Sequence, residues 1–301
     1  MRLACIDIGT NTTRLLVAEP DDGGLREVLT ARVYTPLGHV RRHGEVGAEL
    51  TSEVAAAVAS HVEDARAAGA SWIGVVATAA AREARDCDKL LAAVTQASGV
   101  VPTLLSGEDE ARLAFVGATR ALTLAPASTV GVIDVGGGST ELAVGTPALG
   151  ASWCLSLPLG SAVITAELLH DDPPTEAQLR AAEQQIAEAV AGLDPPACER
   201  VLAVGGSATS LLHLGVSRLG PAELKIALAR VVCAPSAELA PALGLDPRRV
   251  RLLGAGVLIL LAAAGTLKSA PTVVAGGLRE GVILERLRRC GPQASTGARP
   301  S

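Results

Sequence analysis

Aromatic side chains are nearly absent from this chain of 301 residues, which has two Trp, one Tyr and one Phe. Its core must therefore be aliphatic, and stacking of bases on aromatic rings is excluded as a main binding mode. An excess of positive charge is lacking too. The formal net charge of −5 argues against a sequence-independent nucleic-acid binder. A polyanion would have to be met by locally clustered Arg or by metal rather than by a global field. The six cysteines (Cys5, Cys87, Cys154, Cys198, Cys233, Cys290) form no Cys-x-x-Cys pair, and no secretory signal is visible. They read as reduced thiols of a cytoplasmic protein. The longest uncharged run, between Arg251 and Lys268, is interrupted by Gly254, Gly256 and Gly265. It is shorter than the roughly 20 apolar residues of a membrane span and predicts a buried helix.

The most informative stretch that is present runs from Gly131 to Gly145. Val130, Val132, Ile133 and Val135 predict a short buried strand carrying Asp134 near its end. Gly136, Gly137 and Gly138 allow a tight turn and close approach of backbone N–H groups to an anion. Glu141-Leu-Ala-Val144 predicts a returning strand. A P-loop needs Gly-Lys-Ser/Thr opening a helix, and a dinucleotide fingerprint needs Gly-x-Gly-x-x-Gly opening one. Neither is present. The motif alone fits a plain structural hairpin as well as a phosphate cradle with a carboxylate on each strand.

The N-terminus repeats it. Ile6–Ala18 aligns without gaps on Ile133–Gly145, with identities Ile6/Ile133, Asp7/Asp134, Gly9/Gly136, Thr13/Thr140, Leu15/Leu142 and Val17/Val144. A repeat of about half the chain predicts two similar domains, each opening with the same hairpin. Facing each other, they would place two anion-binding turns and two aspartates around one cleft.

This pair of hairpins resembles the actin/sugar-kinase/chaperone ATPase superfamily. The finer pattern resembles the Ppx/GppA family of exopolyphosphatases and guanosine pentaphosphate phosphatases. Its motifs run in order as Asp7-Ile-Gly-Thr-Asn11, Ala77-Thr-Ala-Ala-Ala-Arg-Glu-Ala84, Ser106-Gly-Glu-Asp-Glu-Ala111, Asp134-Val-Gly-Gly-Gly-Ser-Thr-Glu141, Pro158-Leu-Gly-Ser161, Val204-Gly-Gly-Ser-Ala-Thr209 and Gly276-Gly-Leu-Arg-Glu-Gly281. The resemblance implies an α/β fold of two similar actin-like (ribonuclease H-like) domains facing each other across a cleft. They would be residues 1–125 and 126–278, with helix 279–290 packed back on the first and 291–301 a disordered tail.

Read along the chain, the remaining motifs each have a bland and a functional reading. The basic stretch Gly38–Gly44 is either a solvated loop or a substrate-facing lip. Arg82 follows a strand at its C-terminal end, where open α/β sheets place ligands. Ala79 stands where the family usually has Ser, which removes one hydroxyl contact to phosphate. Ser106 with Asp109 reads as a capping box, and acids in a first helical turn favour the dipole. The strand Arg200–Val204 feeds a third glycine turn, Gly205-Gly-Ser207, which opens a helix. The apolar side of that helix carries His213, read as packed.

The resemblance assigns roles to named residues. Asp134 and Glu141, with Asp7, would hold Mg²⁺, a hard ion suited to carboxylate and water. Gly9, Thr10, Asn11 and Thr12 would bind phosphate, as would Gly136, Gly137, Gly138 and Ser139. So would Gly205, Gly206 and Ser207, with Arg82 on the non-bridging oxygens. Glu110 would orient or deprotonate the attacking water. The implied reaction is Mg²⁺-dependent hydrolysis of the terminal phosphoanhydride of inorganic polyphosphate. Shorter chains are favoured, because longer family members carry additional C-terminal domains. The alternatives are a pppGpp phosphohydrolase, a small-molecule or sugar kinase, and a non-catalytic sensor of polyphosphate or pppGpp. No nucleic-acid or membrane partner is expected, and a homodimer is implied by the family alone.

Overall fold

The computed structural model describes residues 1–21, 24–120 and 124–290. The repeated apolar segments become the central strands of two five-stranded sheets. In the first, β1 (Arg2–Ile8) and β2 (Thr12–Asp21) form the hairpin, followed by β3 (Gly24–Tyr34), β4 (Ala70–Ala77) and β5 (Thr103–Leu104). In the second, β6 (Val130–Val135) and β7 (Thr140–Thr146) form the hairpin, followed by β8 (Gly150–Leu157), β9 (Arg200–Val204) and β10 (Thr272–Val273). The orders β3-β2-β1-β4-β5 and β8-β7-β6-β9-β10 are the same topology twice. In each, the first three strands are antiparallel, and the last two run parallel to the hairpin's first strand or to its neighbour. β1 and β6 each have a strand on both sides and layers on both faces, which is why Leu3–Ile6 and Val130–Ile133 are unbroken buried runs. This is the actin-like arrangement of two α/β domains around a cleft.

The helices are α1 (Val40–His43), α2 (Ala48–Ala67), α3 (Ala79–Glu83), α4 (Cys87–Ser98), α5 (Gly107–Arg120) and α6 (Ser161–Leu168). They continue with α7 (Glu176–Val190), α8 (Gly205–Leu211), α9 (Pro221–Val231), α10 (Ser236–Leu243), α11 (Pro247–Thr266) and α12 (Leu278–Cys290). Val54, Val58 and Val62 of α2 and Leu90 and Val94 of α4 cover one face of the first sheet. α11 is apolar and long enough to cross a membrane, yet Leu253–Leu260 is buried among α6, α7, α9 and the second sheet. It is a core helix, as the glycine-interrupted run predicts.

α5 follows the first sheet in sequence but lies on the second. Its Ala111, Phe115 and Ala118 are buried against Val130, Val132 and Leu202. α12 then fills the space between α5 and the first sheet, with Ile283 against Leu3, Cys5 and Leu16. The two helices touch backbone to backbone. A Cβ on Gly117 would sit 2.0 Å from the Gly277 carbonyl oxygen, and one on Gly281 would sit 2.0 Å from that of Leu113.

The edge strands β5 and β10 have only two residues each. Pro102 and Pro271 each lack a ladder donor next to these edge strands. The predicted tail 291–301 lies outside the described residues. The stretch Gly38–Gly44 is not an open loop. It winds into a helical turn and α1, and Arg41 Nη1 donates to the Pro158 carbonyl at 2.7 Å, strapping the two halves together.

Candidate active site

The register of each hairpin places its functional pair directly opposite one another. Asp134 on β6 faces Glu141 on β7, and at the equivalent position Asp7 on β1 faces Arg14 on β2. One hairpin thus carries two carboxylates, the other a carboxylate and a guanidinium. Each turn is closed by the same bond: Gly9 N–H to the Thr12 carbonyl at 3.2 Å, and Gly136 N–H to that of Ser139 at 3.0 Å. Those two donors are therefore spent on the turns. The N–H groups of Thr10, Asn11, Gly137 and Gly138 have no protein acceptor among the described residues. The turns meet face to face, so closely that a Cβ on Gly138 would lie 2.3 Å from Thr10 Oγ1.

Between them is a cavity of about 320 Å³, lined by both turns, Asp7, Glu110, Asp134 and Glu141, and by Gly205 and Gly206. Five acids line this cleft, Glu280 of α12 being the fifth, and their charges shift one another. Burial pushes Glu141 well above the ordinary carboxylate range, and the Glu110 and Asp134 charges push it further. Ser156 Oγ, donating to Glu141 Oε1 at 2.8 Å, works in the opposite direction. Asp134 is raised to about 6, mainly by burial, with Arg14 opposing and Asp7 adding. Asp7 is raised by burial against the pull of Arg14 and Arg279. Glu110 rises to about 7 because burial outweighs its bond to Arg82.

Two predicted phosphate-binding residues are placed elsewhere. Arg82 does not line the cavity. Its Nη1 donates to Glu110 Oε1 at 2.5 Å and to the Leu105 carbonyl at 2.7 Å. Ser207 is buried in α8 against Gly256 of α11, and Thr209 faces the cavity instead. Gly205 also has a packing reason. Its φ is +82°, and a Cβ there would lie 2.2 Å from Asp134 Oδ1. Glu110 is brought to the cavity by α5, whose start is capped by Ser106 Oγ accepting from Asp109 N–H at 3.0 Å.

Residues that the sequence reading gave no role also line the cavity, among them Arg14, Thr78, Arg279 and Glu280, and so does Arg249 of the basic stretch Pro247–Arg251, which from sequence could either line the cleft or cap the preceding turn. Arg279 and Glu280 lie inside the quoted motif Gly276–Gly281, so the signal was present but was read as helix packing. Arg14 lies in the repeat itself, opposite Asp7. Arg249 is the third residue of α11 and reaches over Gly206, where a Cβ would lie 2.7 Å from its Nη1. Its pKa is lowered to about 10 by burial and by the neighbouring Arg14 and Arg32 charges.

A magnesium ion fits these residues in a particular way. Among the described residues no group of three His, Cys, Asp or Glu side chains forms a closed cage. Mg²⁺ needs none, since it keeps water and is commonly held by one or two carboxylates plus substrate phosphate. Asp7 Oδ1 is buried without a hydrogen-bond partner, and Asp134 raises the proton affinity of Glu141, as Asp7 raises that of Asp134. A bound hard cation would satisfy both.

The Ppx/GppA phosphatase family model matches residues 16–290 of the chain. An uncharacterised protein of Streptomyces coelicolor is 31% identical over 95% of this chain and 90% of its own. Exopolyphosphatase 1 of Mycobacterium leprae is 28% identical over 95% of this chain and 90% of its own. Among solved structures, the Aquifex aeolicus Ppx/GppA family member superposes with a TM-score of 0.81 at 26% identity, covering 97% of this chain and 99% of that one.

Proposed function

Since this chain belongs to the Ppx/GppA phosphatase family and is a phosphoanhydride hydrolase, we propose that it is a magnesium-dependent exopolyphosphatase. The reaction is removal of the terminal phosphate of inorganic polyphosphate as orthophosphate. The observation that carries this reading is the cavity itself, where two anion-binding turns meet beside a half-buried arginine pair and a buried glutamate.

Phosphoryl transfer to water asks a protein mainly for positioning and charge neutralisation. The free N–H groups of Thr10, Asn11, Gly137 and Gly138 point to oxygens of the terminal phosphate as their acceptors. Arg14 and Arg249 add charge, and Arg249 can use its planar fork on a phosphate. Asp134 and Glu141, with Asp7, would hold Mg²⁺, which would supply positive charge to offset the negative charge on the phosphate oxygens. Glu110 orients the attacking water and accepts its proton. A carboxylate with a pKa of about 7 is matched to that task near neutral pH. Arg82 holds Glu110 in place and is thereby a positioning residue.

The test is phosphate release with Mg²⁺ from tripolyphosphate, long-chain polyphosphate and pppGpp, each against Glu110→Gln. Release from polyphosphate that falls at least about a hundredfold in the variant supports the reading. Release from pppGpp alone would move the chain to the nucleotide branch of the family. Binding without release from any of the three would make it a sensor.

A further inference from the structure

Each of the two turns is backed by a segment from later in its own half. Behind the first lies the stretch that follows β3. Thr35 N–H donates to the Asn11 carbonyl at 3.1 Å, and the Thr35 and Thr13 hydroxyls meet in the interior at 2.9 Å. Gly38 comes close enough that a Cβ there would lie 3.7 Å from Thr10 Cγ2. Behind the second turn lies Pro158–Val163. The N–H groups of Ser161 and Ala162 donate to the Gly136 and Gly137 carbonyls at 2.9 and 3.0 Å. Thr140 Oγ1 donates to the Leu159 carbonyl, and a Cβ on Gly160 would lie 2.2 Å from the Gly137 oxygen. Each turn is thus fixed to its own backing segment.

Arg41 joins the two backing segments. It stands in α1, three residues after Gly38, and its Nη1 donates to the Pro158 carbonyl at 2.7 Å. Its Nε lies 3.8 Å from Glu167 Oε1 of α6, the helix that begins directly after Gly160. The guanidinium therefore holds the second half at two points. Beside it the seam between the halves is shut: Arg41, Thr10, Gly38, Gly138 and Val163 enclose a gap of only about 10 Å³. Neither Arg41 nor Glu167 lines the reaction cavity, so neither acts on a phosphate held there.

We propose that Arg41 is a positioning residue, a clasp that keeps the two turns closed on one another before substrate arrives. The N–H groups of both turns reach one phosphate together only when the halves are closed. Where the closed form is partly populated, apparent affinity falls by the closed fraction. A phosphate that bridges both turns restores closure as it binds, so a saturated enzyme without the clasp turns over normally. Loss of the clasp is therefore read in KM. A folding defect does the opposite, since it lowers the active fraction and hence kcat and leaves KM alone. The kinetic part of this inference rests on the proposed phosphohydrolase reading; the closure itself does not.

The experiment compares wild type, Arg41→Gln, Arg41→Lys and Glu167→Gln in Mg²⁺-dependent phosphate release from tripolyphosphate, long-chain polyphosphate and pppGpp. It is paired with small-angle X-ray scattering of the same proteins free of ligand. Arg41→Gln should raise KM by about three- to tenfold, equally for every substrate that is turned over, with kcat within about twofold of wild type. Arg41→Lys keeps the charge and one donor and should recover part of the loss. Glu167→Gln removes only the partly exposed pair and should change KM by less than about twofold. A three- to tenfold loss of the closed form leaves most molecules open, at about a third closed or less, so the radius of gyration of free Arg41→Gln must exceed that of wild type. An unchanged KM, a fall in kcat larger than the rise in KM, or an unchanged radius would overturn the clasp and leave the hydrolase reading standing. Absence of turnover in wild type would overturn the hydrolase reading, and scattering then decides: a larger radius in Arg41→Gln upholds the clasp, an equal one overturns it.

Discussion

Arg82 Nη1 and Glu110 Oε1 lie 2.5 Å apart, and the same nitrogen is anchored to the Leu105 carbonyl at 2.7 Å. The pair ties the end of one sheet strand to the first turn of α5. Arg82 therefore fixes where the Glu110 carboxylate sits and opposes the burial that protonates it.

The sign of a pH effect follows. A base must be ionised, so activity should rise with pH through about 7, where Glu110 titrates. Arg82→Ala removes the hydrogen bond and charge that lower this pKa, so the acid limb of kcat/KM should move about one unit higher. Turnover at pH 7 should fall by about ten- to a hundredfold. Arg82→Lys restores the charge but not the two-point anchoring, so it should recover the limb's position more than the rate. Full pH–rate profiles of the three proteins measure both; an acid limb that stays put in Arg82→Ala sinks the role.

The acids of the cleft make a second prediction, about stability. Asp134 binds its proton more tightly folded than unfolded, being raised from 3.8 to about 6. Stability from this group is complete below the unfolded pKa and is lost as pH rises through about 6. In metal-free protein at pH 8 the ionised carboxylate then costs on the order of 1–3 kcal/mol, the lower figure holding where the water of the cavity screens it. Asp134→Asn should raise metal-free stability by about that amount, flatten its dependence between pH 4 and 6, and abolish activity. Added Mg²⁺ should raise the Tm of wild type but much less that of the variant. Denaturant melts at several pH values, with and without Mg²⁺, test all three.

The two hairpins were legible in the sequence because local physics fixes them. Glycines close the turns, buried aliphatics flank them, and the repeat equates Asp7 with Asp134. What escaped depends on how distant elements cross. Arg14, Arg249 and Arg279 converge only because α11 and α12 start at the mouth of the cleft. α5 covers the second sheet although it follows the first, and no local pattern announces this. Ser207 and Thr209 sit in one glycine-rich turn, yet Gly256, far along the chain, lets Ser207 turn inward. The strand before Arg82 and the family motif both single it out, but only the approach of α5 reveals its contact with Glu110.

Ser156 illustrates a contact of the same kind. Its Oγ donates to Glu141, and its Cβ would meet a side chain on Gly107 at 2.4 Å. It thus orients a carboxylate assigned to Mg²⁺ and spaces the start of α5 from β8. Removing a group that orients a metal-binding carboxylate typically weakens metal affinity by about 10–100-fold. Ser156→Ala should raise the half-saturating Mg²⁺ concentration by about tenfold with a smaller loss of kcat at saturation. A magnesium titration of activity decides, and an unchanged half-saturation would remove Ser156 from the account.

The contact between the two turns can be tested by making it too large. Gly138 does not have a left-handed φ, so alanine there meets no backbone penalty. Its Cβ would instead stand 2.3 Å from Thr10 Oγ1 and 3.3 Å from Thr10 Cγ2. The turns must separate, and with them the N–H groups that converge on the phosphate. Misplacement of about 1 Å costs on the order of a hundredfold in rate, so Gly138→Ala should lose about ten- to a hundredfold in kcat/KM. Global stability should fall by only about 1 kcal/mol, because each turn belongs to its own sheet. Thr10→Ala in the same chain deletes both crowding atoms and leaves only Thr10 Cβ, 3.2 Å away. The double variant should therefore be more active than Gly138→Ala alone, a coupling that independent sites would not show. If the two losses simply add, the turns do not act as one phosphate cradle.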